Sequence, residues 1–291
     1  MTIDGTFLRS FNPTVDWLYA GLMRSAALSE SQTNEHGLGG TFLYAGELDP
    51  AGCALAVAGN IAGTATLAAS ADVATQKQAI RDGVVDFLVT NLDEALRILK
   101  NELRKRETVA VCVAKSPEEV ESEMQELGVL PDLLPPGTID ADRFEPFIWQ
   151  GARQVDPIAP DDHSAVLTWK VGHAPAIWLP RMDAIAGDCL EAFPSPHAAA
   201  AKRWLRLAPR FLGRQAMGSR LLRCDAEAAR EFLNRVREKV QRRELNVEVE
   251  ICLTIKGDSL NHELSPPPKE ASDDVLTFAT APRLRSAPTT R

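Results

Sequence analysis

The chain has 291 residues and a net charge of −8, with 45% of residues apolar and 25% charged. That length buries a sizeable core without staples, and that balance belongs to soluble globular proteins, not to collagen-like, disulfide-framework or wholly disordered chains. The negative balance argues against nucleic acid as a main partner, because phosphate contacts need a surplus of Lys and Arg.

Met1 to Asn12 has no basic stretch leading into an apolar core, so no signal peptide is expected. Cys53, Cys112, Cys189, Cys224 and Cys252 are scattered and form no CxxC pair. This pattern fits buried thiols in a reducing compartment, and the cytoplasm is the expected location. Residues 1–36 read as an N-terminal segment. Thr41 to Ala45 reads as a strand, Gly46 to Gly52 as a turn, and Cys53 to Ala62 as a small-residue helix ended by Gly63. Thr64 to Ser70 is an apolar run without alternation, as in a strand covered on both faces. Pro50 to Ala71 carries no charge and is long enough to cross a bilayer. Its Pro, Gly, Asn, Thr and Ser content instead makes it a buried helix and a buried strand, and no membrane partner is expected.

Ala74 to Arg81 reads as a helix and Val84 to Val89 as a third strand. Asn91 caps a helix whose Leu92, Leu96, Leu99 and Leu103 share one face. Thr108 to Ala114 is a fourth strand. Ser116-Pro117-Glu118-Glu119 is a capping box with proline at the first helical position. That helix ends at Gly128, and Val129 to Leu134 leads toward a fifth strand. The repeated strand–helix–strand units imply an α/β fold: a Rossmann-like parallel sheet with helices on both faces. Ligands in such sheets sit beyond the carboxyl ends of the strands.

Pro135-Pro136-Gly137 marks a join, which gives domains at 37–137 and 138–256. The second, smaller part reads as α+β. Ala165 to Val171, Ala176 to Leu179 and Asn246 to Ile255 look like strands. Ala184 to Ala192, His197 to Leu207 and a helix capped by Asp225 and reaching about Arg242 look helical. Composition makes 257–291 a disordered tail.

Gly40-Thr-Phe-Leu-Tyr-Ala-Gly46, Ala51 to Asp72, Asp86 to Leu96 and Gly128-Val-Leu-Pro-Asp132, in that order and spacing, resemble the Rossmann-like central domain of urocanase (urocanate hydratase). Leu92-Asp-Glu-Ala-Leu96 and the Gly-Val-x-Pro-Asp segment match that family's wording closely. The resemblance implies a lyase of histidine degradation. Such an enzyme adds water to urocanate and uses tightly held NAD+ as an electrophile.

The resemblance also implies where a cofactor would lie. The family's Gly-Met-Gly phosphate loop falls on Pro50-Ala51-Gly52, just after Gly46. Its ribose-binding acid falls on Ser70, and the arginine five residues on falls on Thr75. Its Gly-Asn-Ala falls near Lys115-Ser116-Pro117, and its Asp-Gln-Thr-Ser falls on residues 136–139, where Thr138 matches. No counterpart of the family's catalytic cysteine segment is found, so no catalytic residue is assigned. Gly37-Leu-Gly-Gly40 resembles a glycine loop in wording but precedes its strand, and so reads as a turn.

Lys202, Arg203, Arg206, Arg210, Arg214, Arg220 and Arg223 give a basic segment with no acid between Glu191 and Asp225. Arg206, Arg210 and Arg214 are its candidates for a small anion; the bland alternative is a solvated face. Pro209 and Gly213 are expected to interrupt any helix there. Asp161-Asp162-His163 reads as a polar loop, with no metal assigned. Cys189 and His197 are weighed as nucleophile and base against an inert buried thiol, which is favoured. Two functions result: a urocanase-like hydro-lyase on a small anionic substrate, or a pseudoenzyme, namely a binding or regulatory protein that has lost NAD. A homo-oligomer is expected in either case.

Overall fold

The computed structural model describes residues 13–27, 37–135, 141–155, 165–255 and 258–265. The sequence alternation becomes β1 (Phe42–Glu47), α2 (Pro50–Ala62), β2 (Ala65–Ala69), α3 (Val73–Arg81), β3 (Phe87–Val89), α4 (Leu92–Lys105), β4 (Val109–Val113), α5 (Pro117–Glu126) and β5 (Leu133–Leu134). Helix α1 (Pro13–Ala27) precedes them, and α6 (Ala141–Trp149) and β6 (Arg153–Gln154) follow. The six strands form one parallel sheet in the order β3-β4-β2-β1-β5-β6. Its last strand lies past the join expected at residue 137. Among the described residues, no helix is long and apolar enough to cross a membrane.

The helices divide cleanly between the two faces. Leu92, Leu96 and Leu99 of α4, Val120 and Met124 of α5, and Phe144 and Phe147 of α6 pack on one face with Tyr44, Leu67 and Val111. On the other face, Leu55 and Ile61 of α2 and Ala79 of α3 pack with Leu43, Ala110 and Cys112. Gly59 lets α2 lie close, because a Cβ there would meet Leu43 and the hydroxyls of Thr64 and Thr66 within 3 Å. The third strand is shorter than expected: Val84 and Val85 are buried beneath α3 as a lead-in.

The second part is an antiparallel sheet in the order β10-β9-β7-β8. Its strands are β7 (Ala165–Val171), β8 (Ser219–Cys224), β9 (Val249–Ile255) and β10 (Asp258–Leu264). Helices α7 (Pro175–Ala192), α8 (Ala198–Phe211) and α9 (Ala226–Gln241) accompany it. Four sequence expectations are corrected here. Ala176 to Leu179 is helix, not strand: Pro175 starts α7, whose Leu179, Met182, Ile185, Ala186 and Cys189 bury one stripe. Pro209 does not break α8; it lies in the last turn, and the helix runs on to Phe211. Asp258 to Leu264, assigned by composition to a tail, pairs residue for residue with β9. Strand β8 was hidden within the basic segment.

One hydrophobic cluster runs from the α2 face of the parallel sheet through α1 and α8 to Trp169 and Phe232 of the second part. Both sheets therefore share a core. Side chains reinforce the join. Tyr19 Oη donates to the Ala200 carbonyl at 2.7 Å, and Arg203 Nε donates to the Ile61 carbonyl at 2.8 Å. Arg223 Nε donates to Asp16 at 2.6 Å.

Candidate functional site at the carboxyl edge of the parallel sheet

Strands β1 and β2 feed helices on one face; β3, β4 and β5 feed helices on the other. Neighbours β1 and β5, and neighbours β2 and β4, therefore send their chains to opposite faces. These are the two places where such a sheet opens a crevice. Gly46, Pro50, Ala51 and Gly52 lie at the end of β1, and Ser70 and Thr75 after β2. Ser116 lies after β4. The structure gathers these seven positions at one edge of one sheet, whereas Thr138 lies outside the described residues. The expected turn Gly46 to Gly52 is much tighter than foreseen. Gly46 and Glu47 still belong to β1, Pro50 already starts α2, and only Leu48 and Asp49 connect them.

The pairing of β1 with β2 shifts register between Tyr44 and Gly46, and Gly46 takes a left-handed φ of 76° beside Pro135. This bulge turns the chain sharply into α2. Gly52 then rests on the end of β1: an added Cβ would lie 1.8 Å from the Glu47 carbonyl oxygen and 3.2 Å from that of Ala45. The glycine is required here by contact of helix with strand.

A helix N-terminus attracts anions through its free amides and its dipole. Those of α2 are already occupied. Asp49 is the N-cap, and Gly52 N–H donates to its Oδ1 at 2.7 Å. Cys53 N–H donates to the Asp49 carbonyl at 2.8 Å, and Pro50 has no N–H. Only the amide of Ala51 remains. Asp49 and Glu47 are both exposed, so the mouth is acidic. The Cys53 thiol is raised by partial burial first and by the charge of Asp49 next.

The other helices that leave this edge repeat the pattern. Asp72 caps α3, accepting the Thr75 N–H at 2.9 Å and the Thr75 hydroxyl at 2.7 Å; those bonds hold its carboxyl below the usual range. Asn91 caps α4 through the Glu94 N–H at 2.9 Å. Ser116 and Glu119 form the expected capping box on α5. Ser70 is buried, accepts the Asp72 N–H at 3.3 Å through its hydroxyl, and offers its carbonyl to Gln76 Nε2 at 2.7 Å. Lys115 is paired with Glu123. Serine and threonine at these positions thus serve the turns they sit in.

Two features were missed by sequence reasoning. Asp49 was legible, since Asp-Pro before a small-residue run is an N-cap followed by a first-position proline. The second is a buried cluster beside β1. Tyr44 Oη donates to Glu121 Oε1 at 2.7 Å, and Arg143 donates to both oxygens of Glu121, at 2.5 and 2.9 Å. Burial first, and then the charge of Glu121, keep the Tyr44 phenol protonated. No local pattern joins residues so distant in the chain.

The basic segment divides. Lys202 pairs with Glu191, Arg220 with Asp183 at 2.9 Å, and Arg223 with Asp16. Arg203 binds the Ile61 carbonyl near the end of α2, at the opposite end of that helix from Gly52. Arg206, Arg210 and Arg214 are exposed, with Arg210 over the ring of Phe211 at 5.3 Å. Cys189 is buried and its thiol is pushed up to about 11 by that burial, so it is not an activated nucleophile. Gly37 to Gly40 is a turn ahead of β1, bound through the Leu38 N–H to the Ala62 carbonyl at 2.8 Å, at the amino end of the sheet. Asp161-Asp162-His163 lies outside the described residues.

An open parallel sheet wound in both directions, with helices on both faces and crevices at its carboxyl edge, defines a Rossmann-like domain. Residues 21–153 match the family model of the urocanase Rossmann-like domain. This part of the chain is therefore a urocanase-family, Rossmann-like domain. That family domain is associated with NAD. At the start of α2, however, the residues present do not fit a pyrophosphate: a carboxylate stands where the phosphate charge would go, and one amide is left to receive it.

Proposed function

We propose that the protein is a urocanase-derived binding or regulatory protein that does not hold NAD. The capping of α2 by Asp49 carries this reading. Charge-assisted bonds from backbone amides are what a dinucleotide loop contributes. Here Pro50 lacks an amide, Gly52 donates to Asp49, and the charge of Asp49 repels a phosphate. The reading predicts that the purified full chain, once denatured, releases no NAD+ detectable by absorbance and mass. It also predicts that urocanate absorbance stays unchanged on incubation with the protein. A stoichiometric amount of NAD+ would restore the hydro-lyase reading.

The exposed guanidiniums of Arg206, Arg210 and Arg214 are the groups this reading offers to a small anion. Arg206 and Arg210 are one helical turn apart on the solvent side of α8. Replacing all three with Ala is expected to weaken binding of phosphate or a dicarboxylate, titrated by calorimetry, by about tenfold or more, roughly 1.4 kcal/mol. Unchanged titrations would leave the row a solvated face.

A further inference from the structure

We propose that the chain covers its own basic row: residues 270–278, acidic and then apolar, dock on the end of α8 and the turn that follows it. The proposal rests on the reading of Arg210 and Arg214 as anion-binding groups and names what occupies them. Both are exposed, and no acid stands between Glu191 and Asp225. Other cations of the segment are engaged within the fold: Lys202, Arg220 and Arg223 each pair with a carboxylate, and Arg203 binds the Ile61 carbonyl. Apolar surface lies beside the row. Arg210 stacks over half-buried Phe211 at 5.3 Å. Met217, whose amide donates to the Arg214 carbonyl at 3.2 Å, is 68% exposed. A surface that is basic and apolar at once fits a segment that is acidic and apolar at once.

The chain supplies such a segment, and the place it starts from puts it within reach. Strand register aligns Leu264 with Val249, Val249 with Val171, and the neighbouring Lys170 with Ser219. The last residue of β10 therefore stands at the same end of the antiparallel sheet as the first residue of β8, three strand spacings or about 14 Å away. Met217 lies two residues before Ser219. The structure describes the chain as far as residue 265, and residues 266–291 follow. Residues 264–270 span up to about 20 Å when extended, and Pro266, Pro267 and Pro268 favour that extension. Beyond them come Glu270, Asp273 and Asp274, then Val275, Leu276 and Phe278. The remainder carries Arg283, Arg285 and Arg291 and no acid, so charge selects residues 270–278 as the occupant. The acids face Arg210 and Arg214, and the apolar run covers Met217 and Phe211.

A tethered segment competes with any free anion for the row. Docked about nine-tenths of the time, it weakens the apparent affinity for phosphate about tenfold. Calorimetric titration of inorganic phosphate is therefore expected to show about tenfold tighter binding in full-chain Asp273→Asn/Asp274→Asn than in the native chain. Adding Arg210→Ala/Arg214→Ala is expected to remove that gain. Equal affinities overturn the proposal and leave the anion reading standing. A second readout is the Met217 methyl resonance of methionine-labelled full chain, identified by its loss in Met217→Leu. It is expected to shift in Phe278→Ser, by the same amount at every protein concentration. If phosphate binds neither protein, the anion reading fails and the Met217 resonance decides: a shift sustains the docking, and no shift overturns it. A shift that disappears on dilution places the segment on a second copy, and that too overturns it.

Discussion

Gly52→Ala is expected to destabilise the protein by about 3 kcal/mol or more, a loss confined to substitutions that break backbone packing. The new methyl would sit 1.8 Å from the Glu47 carbonyl oxygen and 2.9 Å from its carbon. Both are backbone atoms of β1, so no rotamer change relieves the clash. Helix α2 would have to move off the sheet, and α2 carries Leu55 and Ile61 into the shared core. Its Asp49 cap would open as well. Chemical denaturation measures the loss. A glycine kept only for ligand access would tolerate the extra methyl without loss of stability. A change below about 0.5 kcal/mol, the range of ordinary surface substitutions, would therefore show that helix–strand contact is not its role here.

The parallel sheet was legible because its signals are local. Asn91 and Ser116 announce helix starts, and the Leu92, Leu96, Leu99 spacing fixes the buried face of α4. The uncharged run from Ala65 to Ala69, closed off by Gly63 before it, fits a strand covered on both sides. The antiparallel sheet was far less legible. Leu221 and Leu222 of β8 sit between Arg220 and Arg223, so the strand looks like a charge run. Each arginine is in fact paired with a carboxylate from another helix. In α7, Ala176 to Leu179 lies between Pro175 and Pro180 and reads as a short strand, yet proline at a first position starts a helix. Strand β10 is held by its register with β9 and not by its own propensity, which is weak at Asp258, Asn261 and Glu263.

The candidate site divides in the same manner. Parallel strand–helix alternation places Gly52, Ser70 and Ser116 at the carboxyl edge, and that alternation can be read from sequence. What each polar group binds is a matter of tertiary geometry. Ser70 and Thr75 serve turns, and Asp49 caps α2.

Asp16→Asn is expected to cost the protein more at pH 4 than at pH 7, with the difference between the two pH values approaching about 3 kcal/mol. Asp16 is 4% exposed, and its Oδ1 has no hydrogen-bond partner among the described residues. Burial raises its carboxyl to about 6, although Arg223 beside it pulls the other way. A raised value means that the folded chain holds the proton more tightly than the unfolded chain, whose value is 3.8. The resulting stabilisation is full below pH 3.8 and is lost as pH rises through 6. The asparagine side chain has no proton to lose, so its stability lacks this slope. Subtracting the two denaturation curves at each pH isolates Asp16 from every other group. Asp183, pushed up to about 6 by burial against the pull of Arg220, predicts the same slope for Asp183→Asn. The opposite sign, with the native protein gaining on the variant above pH 6, would mean that the ion pair with Arg223 outweighs desolvation. Strand β8 would then hold α1 by charge and not in spite of it.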